Sequence, residues 1–214
     1  MVRTKRFDPT KALAAAMNVF WQLGYENTSL DVLMAEMGIA RQSLYDTFGD
    51  KRSLYLKALA HYRDETNASM RRLFTSAPTV KDGFAQLLFG LSSESRAQHA
   101  RGCLLLSANM ERAAGDSVIT DFLRRNQADV ESIFREALRR AQSSGELSSK
   151  QDPAALARFF VVTIQGMRAL ARLKSDRRAL EEVQSRFGGT RLNCESSSRR
   201  FHSRVTGKGE LVPR

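Results

Sequence analysis

Apolar residues recur at intervals of three and four along almost the whole chain, and only 4 prolines interrupt its 214 residues. Side chains at that spacing line one face of an α-helix, whereas a strand would alternate them between two faces. The chain is therefore expected to be all-α, its helices separated by glycine stops and polar caps. The opening segment is the most tightly specified part.

Asp8-Pro9-Thr10 opens a first helix, with Asp8 as N-cap and Pro9 at the first helical position. Leu13, Met17, Phe20, Trp21 and Gly24 share one face, and Gly24-Tyr25 ends the helix. Thr28-Ser29 caps a second helix carrying Leu30, Leu33, Met34 and Met37, which Gly38 breaks with Ile39 at the corner. The stretch from Ala40 to Phe48 makes a short third helix with Leu44 and Phe48 inward. Gly49-Asp50 ends it, and Asp50 caps the next helix at Lys51. Two short helices joined by a tight glycine turn and braced by a preceding helix form a helix-turn-helix unit. Such a unit presents its second helix to the major groove of DNA.

The run Thr28-Ser29-Leu30-Asp31-Val32-Leu33, then Met37-Gly38-Ile39, then Leu44-Tyr45-Asp46-Thr47-Phe48-Gly49-Asp50-Lys51-Arg52-Ser53-Leu54 resembles the DNA-binding domain of the TetR family. The resemblance covers nearly all of residues 7–56, with turn, tyrosine, phenylalanine and lysine at the family's relative spacings. Ala40 departs from it, standing where many members place a serine or threonine cap worth about 1 kcal/mol.

Arg41, Gln42 and Ser43 occupy the first exposed turn of the third helix, where side chains reach base edges. Arginine suits guanine O6/N7 and glutamine suits adenine N6/N7, so Arg41 and Gln42 are the candidate sequence readers. Against this stands the plain reading of an exposed helical surface. Tyr45 and Thr47 are better placed for phosphate oxygens, as the resemblance also implies; the Tyr45 ring packs equally well between helices. Thr28, Ser29 and Lys51 lie near helix N-termini, where backbone amides suit a phosphate, although Lys51 and Arg52 also read as ordinary solvated charges. Arg3, Lys5 and Arg6 form an arm for the backbone or minor groove.

Further on, residues 50–73 read as one long helix with Leu54, Ala58, Leu59 and Tyr62 inward. Thr79 caps the next, with Phe84, Leu87, Leu88 and Leu91. Gly102-Cys103-Leu104-Leu105-Leu106 starts a short buried helix. A long one follows Gly115-Asp116-Ser117, with a stripe from Ile119 through Asn126 to Ala141, and stops at Ser144-Gly145. Asp152-Pro153 opens a helix in which Phe159, Phe160, Val161, Val162, Ile164 and Met167 are apolar nearly all round, so part of its cover is expected from a second subunit. The stretch from Asp176 to Val183 reads as the start of a final helix, cut short.

Residues 1–50 are thus read as the DNA-binding domain and 51–183 as a helical ligand-binding and dimerisation domain. Residues 184–214 are read as an aberrant or foreign tail, ending Leu211-Val212-Pro213-Arg214 like the remnant of a thrombin site. A natural basic arm is the competing reading of that tail. The resemblance implies a homodimer joined through the last two long helices. It also implies a repressor released from a palindromic double-stranded operator by a small-molecule effector. Candidate residues lining the effector pocket are Tyr62, Phe84, Leu88, Cys103, Met110, Phe122, Asn126, Phe159 and Thr163, most of which read equally well as core. Their mostly apolar character favours an apolar or aromatic compound. Asn126 stands out, because an amide on an apolar stripe needs a partner. Some TetR-type regulators sense oxidants or electrophiles through a cysteine, which makes Cys103 an alternative sensor; the plain reading is a small buried hydrophobe. His99 lies four residues before Cys103, a spacing suited to one metal on a helical turn, but no third ligand is evident.

The formal charge of +11 favours a polyanionic partner. The stretch from Gly188 to Arg214, with six basic residues against Glu195 and Glu210, supplies +4 of it. Residues 1–55 hold seven basic and six acidic side chains, a near balance that argues for placed contacts over the diffuse attraction of an architectural DNA binder. No Ser/His/Asp elbow, phosphate-binding glycine loop or HExxH helix appears, so no enzyme and no cofactor are expected. Two widely spaced cysteines suit a cytoplasmic protein without a disulfide framework. No run approaches the roughly 20 apolar residues of a membrane span.

Overall fold

A computed structural model describes residues 7–173 and 177–189. The described residues are helical and contain no strand: α1 (Pro9–Leu23), α2 (Leu30–Met37), α3 (Arg41–Phe48), α4 (Lys51–Ser76), α5 (Val80–Ser93), α6 (Arg96–Arg101), α7 (Leu104–Arg112), α8 (Ser117–Ser143), α9 (Pro153–Arg172) and α10 (Arg177–Gly189).

Local chemistry sets most of these boundaries. The Asp8 carboxylate accepts from the Thr10 amide at 2.9 Å, and Pro9 stands at N1, as the sequence predicts. Gly38 takes the left-handed conformation at φ 65°, ψ 33° and stops α2 two turns after it starts. The α2 cap is Ser29, whose Oγ accepts from the Val32 amide at 3.2 Å. Thr28 is 1% exposed, its hydroxyl donating to the Gly24 carbonyl at 2.6 Å. Helix α3 has no side-chain cap, since Ala40 offers no acceptor. α6 is absent from the apolar pattern, because none of its residues is buried. A capping box formed by Ser95 and Gln98 marks its start instead. α10 runs to Gly189, six residues beyond the point where the sequence pattern fades.

Three apolar clusters hold the helices together. The first joins Phe20, Leu33, Leu44, Leu54 and Leu59 of α1–α4 to Leu104, Ala108 and Ile119 of α7 and α8. The helix-turn-helix head therefore has no core of its own; it shares one with the rest of the chain. The second is built on Phe74, Phe84, Phe134 and Phe160, with edge-on ring pairs 4.7–5.4 Å apart and Phe84 stacked on Phe160. The third packs Leu88, Leu91, Met167 and Leu180, so that α10 rests on α5.

Helix α9 corrects the sequence reading on one point. It is 20 residues long and contains an 18-residue stretch with a mean hydropathy of 1.3, long and apolar enough to cross a membrane by length and composition. It packs along α8 through Ala157, Phe160 and Val161, while its buried Met167 joins the α5–α10 contact. Phe159, Val162, Gly166, Leu170 and Leu173 fall on its other, exposed face, with Val162 69% and Leu173 75% exposed.

Candidate nucleic-acid interface

Leu44 and Phe48 anchor α3 against the head's core and turn its opposite face outward. That face carries Arg41, Gln42, Tyr45 and Asp46, all exposed, with Ser43 and Thr47 half-buried at its edges. Arg41 reaches across to Asp31 of α2 at 3.9 Å, with both side chains mostly in solvent. Such a pair is worth well under about 1 kcal/mol and releases its arginine readily. Gln42 donates to Asp46 at 2.7 Å, one turn along the same face. The Tyr45 ring is 43% exposed rather than enclosed between helices.

The flanks of this face are helix N-termini. Ser29 is exposed at the start of α2. At the start of α4, Lys51 lies over the Tyr25 ring, 4.4 Å from its centroid. Asp50 caps that helix through the Ser53 amide at 2.7 Å, and the Ser53 hydroxyl first, then this amide, lower its carboxyl below the usual range. Thr28 does not join this surface, since its hydroxyl is spent inside the α1–α2 turn. Arg3, Lys5 and Arg6 lie outside the described residues.

A polar latch that the sequence reading missed fastens the head to α7 and α8. Glu111 accepts from the Tyr25 amide at 3.0 Å, and Arg112 pairs with Glu26 at 2.6 Å while stacking on the Tyr25 ring at 4.7 Å. Arg52 grips Asp116 with two hydrogen bonds of 2.6 and 2.7 Å. A second tie runs from Trp21: its Nε1 donates to the Gly102 carbonyl at 2.9 Å, and the Arg101 guanidinium covers its ring at 3.5 Å. Contacts across 64 to 86 residues carry no local signature, so no periodicity argument reveals them.

Trp21 is also a wall of a cavity of about 580 Å³ between α4, α6, α8 and α9, within the size range of small-molecule sites. Of the expected lining residues it gathers Tyr62, Cys103 and Asn126. Cys103 lies beside Tyr62, and burial above all, then this thiol, pushes the Tyr62 pKa far up. Asn126 is 8% exposed and its Oδ1 has no hydrogen-bond partner. The other expected lining residues stand elsewhere. Phe84 belongs to the phenylalanine cluster, Leu88 to the α5–α10 contact and Phe122 to the shared core. Met110 is 77% exposed, Phe159 lies on the outer face of α9, and Thr163 is half-buried away from the cavity wall. His99 turns its Nε2 to the Leu91 carbonyl at 2.8 Å and lies beside Glu94.

Comparison with known proteins agrees with this geometry. Residues 12–58 match a family described as bacterial regulatory proteins, tetR family, and residues 88–187 match the tetracyclin repressor-like C-terminal domain. The chain is 32% identical to the uncharacterized HTH-type transcriptional regulator YezE of Bacillus subtilis, over 85% of this chain and 95% of that one. It is 30% identical to the HTH-type transcriptional repressor ComR of Escherichia coli, over 79% and 82%. Among solved structures, a cysteine-substituted TetR family regulator, CifR, bound to 26-bp operator DNA superposes with a TM-score of 0.76 at 33% identity, covering 86% of this chain and 97% of that one.

Proposed function

The chain belongs to the TetR family of DNA-binding transcriptional regulators, and we propose that it is a cytoplasmic repressor that grips a palindromic operator as a homodimer and lets go when a small molecule fills the cavity beside Trp21. The observation that carries this is the outward face of α3. Arg41 and Gln42 sit in its first turn with only exposed, weakly held partners, ready for base edges. Ser43, Tyr45 and Thr47 border that face, and Ser29 and Lys51 stand at the N-termini of α2 and α4, where phosphates are favoured. ComR is itself a repressor, and CifR binds operator DNA in the structure compared above.

The homodimer is supported by α9. Five residues within a narrow arc of one helix form an apolar stripe in solvent, from Phe159 to Leu173. A second copy of the same stripe is the natural cover, and two-fold pairing would give two heads for the two halves of a palindrome. The effector reading is supported by the cavity and by Trp21, which belongs to both cavity wall and head.

Selection of bound sequences from a random DNA pool tests the whole reading. A palindrome should be enriched and should survive excess random competitor, which an architectural binder would not resist. Arg41→Ala should relax the preference at individual bases; an unchanged motif would remove Arg41 from the readout.

A second reading, redox or electrophile sensing, is favoured by the place of Cys103 on the cavity wall against Tyr62. Cys103→Ser would then abolish operator release by electrophiles, and retained release would rule this reading out.

A further inference from the structure

Resting on the reading of the cavity as an effector site, we propose that its effector is a small organic carboxylate, held by Arg101 and Arg168 with its apolar body along Leu73, Leu87, Val130 and Ile164.

The cavity's charged groups are unequally satisfied. Its two carboxylates each face a histidine, Glu65 with His61 at 3.4 Å and Glu94 with His99 at 3.9 Å. Its two guanidiniums have no such counterpart: neither Arg101 nor Arg168 forms an ion pair among the described residues. Arg101 gives one Nη hydrogen to the Asn18 side-chain Oδ1 at 3.0 Å and lies on Trp21, yet its Nε is buried and bonds nothing. A buried donor on a charged group is costly unless something completes it.

Both guanidiniums lie at one end. Trp21 carries Arg101 on its face and meets the Tyr62 ring edge-on at 4.8 Å. Arg168 and Glu94, with opposite charge, both lie close enough to Tyr62 to act on its hydroxyl. Leu73, Leu87, Leu105, Val130, Val161 and Ile164 give the wall an aliphatic stretch, interspersed with neutral polar side chains. An end with two guanidiniums against one carboxylate, joined to an aliphatic stretch of wall, fits a molecule with one anionic terminus and a hydrocarbon or aryl body.

The position of Arg101 gives binding a consequence. A carboxylate that draws the guanidinium toward itself competes with Asn18 and the Trp21 ring, both on α1 of the DNA-binding head. Filling the site thus loosens one of the two ties that orient α3.

The test is calorimetry and operator release with the full chain, using benzoate, cinnamate and octanoate, each against its own primary amide. At least one acid should bind about tenfold more tightly than its amide, the scale of one charge-assisted contact, and should release operator. Arg168→Gln should remove that preference while leaving amide affinity within about twofold, and its unchanged melting temperature without additive would show that it folds. Amides that bind as tightly as their acids, or an acid preference that survives Arg168→Gln, would overturn the carboxylate assignment and leave the effector site standing. Failure of every acid and every amide to bind would overturn both.

Discussion

The Asp116 carboxylate caps α8 by accepting from the Val118 and Ile119 amides, at 3.1 and 3.2 Å, and holds Arg52 with both oxygens. The Arg52 hydrogen bonds, more than any other contact, keep its carboxyl well below the usual carboxylate range. A group whose folded pKa is depressed stabilises the fold above its unfolded pKa of about 3.9 and loses that contribution as pH falls further. Asp116→Ala should therefore cost about 1–2 kcal/mol at neutral pH, mostly as a lost cap, since Arg52 is partly solvated. Urea unfolding of wild type and variant should give midpoints that converge as the pH is lowered below about 4. A gap that stays constant through that range would show that the charge of Asp116 contributes nothing.

At the scale of single helices, α3 and α9 each carry a testable departure from what an isolated element prefers. Ala40 leaves the first amides of α3 without a side-chain acceptor, so Ala40→Ser should stabilise the chain by about 1 kcal/mol. Chemical denaturation checks it, and no gain would mean that water or a neighbour already serves those amides. On α9, Val162→Glu places a charge in the exposed apolar stripe and should shift the protein from dimer to monomer in analytical ultracentrifugation. An unaltered sedimentation coefficient would put the subunit contact elsewhere. These elements also show what the sequence made legible. Caps and glycine stops act within a few residues, so α1, α2, α4 and α8 are readable from Asp8, Gly38, Asp50 and Asp116. The apolar period gives the direction a side chain faces but not what lies there. It therefore puts Phe84 and Leu88 on the same wall as Tyr62, yet they enter two other clusters, and Met110, on a short helix, faces solvent. α6 has no apolar stripe, and only the Ser95-to-Gln98 spacing announces it.

On the scale of the whole molecule, the shared core means that head and body should unfold together. Leu44 and Phe48 of α3 belong to the same cluster as Leu104 and Ile119, and the latches from Tyr25 and Glu26 cross the same boundary. One cooperative transition is expected in urea, with the slowest-exchanging amides of α1 and α8 protected alike. Early melting of α1–α3 would contradict a common core. The division at about residue 50 is legible in the sequence because the helix-turn-helix motif ends there. The unity across it is not, because it depends on contacts made far along the chain.

Trp21 is the one tryptophan in the chain. Its indole donates to the Gly102 carbonyl, lies beneath a guanidinium and forms part of the cavity wall. Indole emission responds to nearby charge and to what its N–H touches, so the protein carries its own optical gauge. Any molecule that enters the cavity and disturbs Arg101 changes the colour and brightness of that light, and the same event that slackens the hold on α1 becomes visible without a label.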